Sequence, residues 1–265
     1  MSFYYQLIER QSLPDGGTLA HYLPSEHARG VWNPHEQHMA PATGIICAEL
    51  EQFQPRDDLR IGSLTLDILG LIHLKPFSIR TRLLRPGRTI ELLEASLEAE
   101  GQTCITARAW RMQTRDTSVI AGLEDPQVTP VTQLQPWGDL KAWGEGYIST
   151  LECRTDEQRR AGRGLVWMTN PLEMIEGRET SAFVRLMGMV DTSNGTACRV
   201  HPGEWIFPNL DLHISLLRMP QGRWLGLDTR QQFGADGIGI TSSVLHDELG
   251  MFGRSEQTLT LRPAR

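Results

Sequence analysis

This sequence holds almost none of the familiar short signatures of chemistry. Its 265 residues include four cysteines, Cys47, Cys104, Cys153 and Cys198. They are too scattered for a C-x-x-C pair, and no histidine stands at zinc-finger spacing, so no metal is expected. There is no G-x-S-x-G nucleophile elbow, since Gly253-Arg-Ser255 lacks the closing glycine, and there is no Walker loop. No apolar run approaches the roughly 18 residues of a membrane span, and the opening Met-Ser-Phe-Tyr-Tyr-Gln-Leu-Ile-Glu-Arg lacks the basic start and apolar run of a signal peptide. These absences predict a reduced, cytoplasmic protein with no membrane contact. A basic surplus is missing too: 26 Lys and Arg against 32 Asp and Glu leave a formal net charge of -6, which argues against nucleic acid as the partner.

What is present is an ordinary soluble composition, 40% apolar and 22% charged, enough for a real core. The length allows one large domain or two small ones of about 100 to 200 residues. Along the chain, residues 3–31 suggest two short strands around Gly16-Gly17. His35-Glu-Gln-His38 follows; without the H-E-x-x-H spacing, and bracketed by Pro34 and Pro41, it reads as a polar loop leading into a helix over 42–53 rather than as a metal site. From residue 64 the period becomes two: Ile79, Thr81 and Leu83, then Leu93, Ala95, Leu97 and Ala99, alternate with polar residues, as half-buried antiparallel strands do. Another strand follows over 103–112.

Residues 114–141 lose this regularity and carry Pro126, Pro130 and Pro136, which marks a linker between units at 1–113 and 142–265. Strands are then predicted over 147–154 and 165–168, a helix over 180–190 with Thr180 as N-cap, and four strands over 209–218, 223–232, 237–245 and 251–261. The order of elements repeats, and Leu64-Thr-Leu-Asp67 falls in register with Asn209-Leu-Asp211 when Thr65 is set over Asn209. A period this long indicates an internal duplication. Gly234-x-x-Gly237-x-Gly239 lies between two alternating strands and reads as a hairpin turn rather than a phosphate cradle.

The helix over 180–190 carries Arg185 as its one charge, the pattern of a helix enclosed on all sides. It runs directly into Asp191, where a carboxylate near a core must be solvated, paired or used in chemistry. On the strand from Asn209, alternation puts Asn209, Asp211, His213 and Ser215 on one face. Gln257 shares a face with Leu259 and Leu261 and is either packed inward or solvated at a strand end.

With these elements placed, the chain resembles the double-hotdog acyl-CoA thioesterases, the family of bacterial acyl-CoA thioesterase II. The resemblance rests on the helix running into Met189-Val-Asp191, the strand Pro208-Asn-Leu-Asp-Leu-His213, the turn Arg218-Met-Pro220 with Gly222-Arg-Trp224-Leu, and the strand Ser255-Glu-Gln257. It implies an α+β fold, a tandem hotdog of two antiparallel sheets each wrapped around a central helix. It implies hydrolysis of acyl-CoA by a water held by an Asp, a hydroxyl residue and a Gln, without a cofactor. Those positions fall on Asp191, Asn209 and Gln257, with Asn209 departing from the usual Ser or Thr. In the first half the matching positions are Thr65 and Arg108, which implies no complete second site there. The resemblance also implies a homodimer. The family's glycine-rich helix start reads His38-Met-Ala-Pro-Ala-Thr-Gly44 here, and Pro41 removes one backbone donor from it. A non-catalytic acyl-CoA-binding hotdog is the alternative, and a hotdog hydratase built on Asp211 and His213 ranks third.

Overall fold

The computed structural model describes residues 2–31, 33–138, 140 and 144–264. The first half holds β1 (Phe3–Ser12), β2 (Thr18–Pro24), helix α1 (Met39–Gln52), β3 (Leu59–Ile68), β4 (Phe77–Arg85), β5 (Ile90–Ala99) and β6 (Gln102–Gln113). After the short β7 (Gln135–Pro136), the second half holds β8 (Glu152–Thr155), β9 (Arg163–Thr169), β10 (Glu173–Ile175), helices α2 (Ala182–Val190) and α3 (Ser193–Thr196), β11 (Trp205–Ile206), β12 (Asp211–Leu216), β13 (Leu225–Phe233), β14 (Ile238–Asp247), β15 (Gly250–Thr260) and β16 (Arg262–Pro263).

Fourteen of these strands form one sheet in the order β10-β1-β2-β4-β5-β6-β3-β12-β15-β14-β13-β9-β8-β7. Outward from the β3–β12 seam, the neighbours are β6, β5, β4, β2 and β1 on one side and β15, β14, β13, β9 and β8 on the other. Corresponding strands thus follow in the same order, so the duplication read from the sequence is the architecture: two hotdogs in tandem, joined edge to edge. At the seam Asp67 lies opposite Asp211. The same sequence spacing separates Gly44 of α1 from Gly188 of α2, where the helices touch. A Cβ on Gly44 would stand 3.0 Å from the Gly188 Cα. The helices run antiparallel, the end of α1 meeting the start of α2 where the Ser181 hydroxyl donates to Glu51 at 2.9 Å.

Helix α1 is buried on every side over its first twelve residues, and side chains such as Ile45, Ile46 and Leu50 each contribute roughly 1.5–3 kcal/mol by leaving water. The carboxylate of Glu49 within it is held by the Tyr22 hydroxyl and the Arg10 guanidinium. In α2, Arg185 is 4% exposed and bonds Glu173 at 3.1 Å and the carbonyls of Asn170 and Leu172. The lone charge of that helix thus ties it to the loop before it.

Several local expectations change. Helix α1 begins at Met39 rather than at 42, with Pro41 inside its first turn, where a missing N–H breaks no helical bond. The N-cap of α2 is Ser181, whose hydroxyl accepts from the Val184 N–H at 3.2 Å, whereas the Thr180 hydroxyl accepts from the Met174 N–H. Residues 146–150 form a 3-10 turn and not a strand, because the Ser149 and Thr150 hydroxyls bond back to the carbonyls of Gly146 and Tyr147. The strand alternation from Asn209 begins only at Asp211. Asn209 forms an isolated bridge with Leu259, and Leu210 is exposed. The segment after β6 lies against the second half, where Val131 and Leu134 pack with Leu165 and Trp167 in a small separate cluster. The boundary expected at 141/142 lies outside the described residues. No described helix is long and apolar enough to cross a membrane.

Candidate active site

The antiparallel helices bring the end of α2 to the start of α1, and a cleft of about 170 Å³ sits at that meeting point. Gly30, Val31 and residues 36–39, with Ile68 and residues 70–72, form its first-half wall, and Asp191, Thr192, Asn194, Gly195 and the 207–209 segment form the second-half wall. Asp191 is the C-cap of α2 and is 5% exposed. Its Oδ1 accepts from the Asn209 Nδ2 at 2.8 Å and from the Gln257 Nε2 at 2.9 Å. The three residues singled out in the sequence are therefore brought together by direct hydrogen bonds.

Gln257 points inward, 1% exposed, and both ends of its amide are hydrogen-bonded. Its Oε1 accepts from the Ser193 hydroxyl at 2.7 Å, which leaves the amide nitrogen to face the carboxylate and the Asp191 carbonyl. Asn209 is steadied by a second bond from its Nδ2 to the Asp211 carbonyl at 3.0 Å. This inward turn is what the break in alternation at Leu210 achieves. Burial pushes the Asp191 carboxyl up to about 6, with the amide bonds from Asn209 and Gln257 acting against it. The negative end of α2 acts in the direction of burial. A carboxylate with a pKa near neutrality, one oxygen held by two amides and the other free of them, is placed to take a proton at physiological pH.

The opposite wall holds a residue that the sequence pattern places in a polar loop. His38 is the N-cap of α1, its Nδ1 accepting from the Ala40 N–H at 3.0 Å. That nitrogen lies 3.8 Å from the Asp191 Oδ2. Burial lowers His38 to about 4, so it is neutral, and no ion pair forms with Asp191. Its ring packs on Tyr147 at 4.5 Å between centroids, and the Tyr147 hydroxyl bonds Thr192 and the Gly188 carbonyl. The available signal was a histidine immediately before the apolar start of a buried helix. His35, its partner in the sequence motif, is exposed. Among the described residues lining the cleft there is no Lys or Arg.

The remaining candidates lie elsewhere. His213 is exposed on β12, bonded to Thr65 at 2.8 Å and Ser215 at 3.3 Å, on the face turned away from Asp191. Asp211 accepts from the Thr258 N–H, and Arg108 is exposed beside Glu94. At the spacing that relates Gly44 to Gly188, the first-half counterpart of Asp191 is Cys47, a thiol buried inside α1. The duplication thus carries the carboxylate in one copy only.

A continuous sheet of two fused hotdogs with one cleft at the helix junction defines the class of double-hotdog proteins, and the sequence comparisons narrow it. A model of the acyl-CoA thioesterase C-terminal domain matches residues 126–261 and one of the acyl-CoA thioesterase N-terminal domain matches residues 28–112. The chain belongs to the acyl-CoA thioesterase family, a family of thioester hydrolases. Among solved structures it is similar to a hot dog fold protein of unknown function from Alicyclobacillus acidocaldarius, with a TM-score of 0.75, 12% identity and 96% of each chain covered. It is similar also to the acyl-CoA thioesterase II of Mycobacterium marinum, with a TM-score of 0.66, 14% identity and 97% and 96% of the two chains covered. The 12:0-ACP thioesterase of Umbellularia californica aligns over 94% of each chain at a TM-score of 0.52 and 10% identity. No curated protein matches the sequence.

Proposed function

We propose that the protein hydrolyses acyl-CoA to free acid and CoA at the cleft between its halves, with Asp191 as general base and Asn209 and Gln257 as the amides that orient it. The observation that carries this reading is the buried Asp191 carboxylate, bonded through Oδ1 to both amides and raised to about 6 by burial. In this reading a water on the Oδ2 side adds to the acyl carbon, one of its protons passes to Asp191, and the carbonyl electron pair moves onto oxygen. When that intermediate collapses the C–S bond breaks, the sulfur leaves with its electron pair, and it takes the proton back from Asp191. The products are a carboxylic acid and the thiol. Apolar cleft walls, including Val31, Ile72, Ile148 and Phe207, suit an acyl group and the neutral pantetheine arm, while the nucleotide phosphates would lie beyond a cleft that bears carboxylates and no described cation. The division into hotdogs at 1–113 and 142–265, with 114–141 between them, belongs to the same reading.

The test is thiol release from short, medium and long acyl-CoAs by wild type, Asp191→Asn and Gln257→Ala. Asp191→Asn is expected to lower turnover by about 10²–10⁴-fold, with Gln257→Ala also impaired. An unchanged rate in Asp191→Asn removes it from the mechanism. Thermal stabilisation by an acyl-CoA without any hydrolysis would instead mark a binding protein.

A further inference from the structure

We propose that the imidazole of His38 serves as an electrophilic donor to the thioester carbonyl, its Nε2–H taking the place of backbone donors that the start of α1 no longer offers. This rests on the thioesterase reading and adds to it a catalytic residue from the opposite half of the chain.

A helix start is a ready site for an oxygen that gains negative charge, because its first N–H groups have no partners within the helix. Here those groups are largely used. The Ala40 N–H is bonded to His38 Nδ1, residue 41 is a proline without an N–H, and the Ala42 N–H already makes the first helical bond, to the His38 carbonyl. The Met39 N–H, with no hydrogen-bond partner among the described residues, is left at the cleft wall. One backbone donor makes an incomplete hole for an oxyanion, which is held by two or more donors in preorganised sites.

The cap that consumes the Ala40 N–H also prepares a replacement. Because Nδ1 accepts a hydrogen bond, its lone pair faces the helix and the ring proton resides on Nε2. The positive end of α1 disfavours an imidazolium, and burial lowers the group in the same direction. His38 is thus a neutral donor and neither a base nor a counter-ion for Asp191. The 3.8 Å between Nδ1 and the Asp191 Oδ2 exceeds hydrogen-bond length, which leaves Oδ2 available to the attacking water. Packing against Tyr147 fixes the ring plane, and the side chain keeps 14% exposure at the cleft. Base and donor therefore approach one small cleft from the ends of two antiparallel helices. A neutral imidazole at a helix N-terminus that polarises a carbonyl is an established physical solution in enzymes.

The experiment separates capping from donation. Asparagine is a strong N-cap but its amide is shorter than an imidazole, so His38→Asn keeps the helix start and withdraws the donor. With the acyl-CoA that wild type prefers, His38→Asn is expected to keep its melting temperature, change KM by less than about threefold and lose about 10²–10³-fold in kcat. The acid limb near pH 6 set by Asp191 should remain in the variant. Nitrogen-15 NMR of the wild-type imidazole should show a bare Nδ1 and a protonated Nε2 that do not titrate between pH 5 and 8. Wild-type kcat in His38→Asn, a loss confined to KM, or a proton on Nδ1 overturns the assignment. Absence of hydrolysis by wild type itself overturns the thioesterase reading and this inference with it, and so is distinguished from a failure of His38 alone.

Discussion

Asp191 costs the fold something, and the cost can be read against pH. Its folded pKa, about 6, lies above the value near 3.9 expected of an unfolded Asp, so the folded state holds this proton more tightly. Stability therefore falls as pH rises from about 4 through 6, and above that range the deficit is on the order of 2–3 kcal/mol. Asp191→Asn removes the charge while keeping the shape. It is expected to be more stable than wild type at pH 8 and equal to it at pH 4, as urea denaturation at the two pH values will show. A variant less stable at pH 8 would mean that the amide bonds from Asn209 and Gln257 outweigh the burial. At this scale the sequence carried the carboxylate by its setting, an acid ending an apolar helix, while the glutamine, in register with Leu259, stayed open between packed and solvated and was singled out by the family resemblance. His38 was not legible, because its role depends on which element lies across the cleft and nothing local to residues 35–41 encodes that.

At the scale of elements, the site depends on how closely α1 and α2 approach. Gly44 and Gly188 let the two backbones meet, and a side chain at Gly44 would press on the Gly188 backbone and on the end of Met174. Gly44→Val is expected to force the helices apart, lowering stability by about 1–3 kcal/mol in chemical denaturation. Activity should fall further than stability alone explains, since the start of α1 and the end of α2 carry opposite walls of the cleft. An undiminished stability would show that the helices have room that the glycine contact does not suggest. Element types were largely legible from period, but the edges of elements were not. Pro41 looked like a boundary and sits inside the first turn of α1, and residues 146–150 looked like a strand and close as a turn on their own hydroxyls. The inward rotation of Asn209 comes from its isolated bridge to Leu259, a long-range pairing that strict alternation in the sequence conceals.

For the whole molecule, the halves are interlocked rather than merely joined. Strands β3 and β12 pair across the seam, β10 leaves the second half to run parallel to β1 at the far edge of the first, and the larger of the two hydrophobic clusters draws on both helices. Unfolding is expected to be one cooperative transition, with amide exchange in β5 and in β14 reporting the same opening free energy in denaturant. Two separated transitions would show that each hotdog is stable alone. The sequence by itself determined the repeated order of elements, the enclosed helix and the carboxylate at its end, because periodicity and composition act locally. Only the tertiary structure decided that His38 faces Asp191, that Asn209 turns inward and that β10 crosses to the other half. Each of these follows from contacts between residues far apart in sequence, whose geometry is set by antiparallel helix packing and sheet register rather than by any local preference.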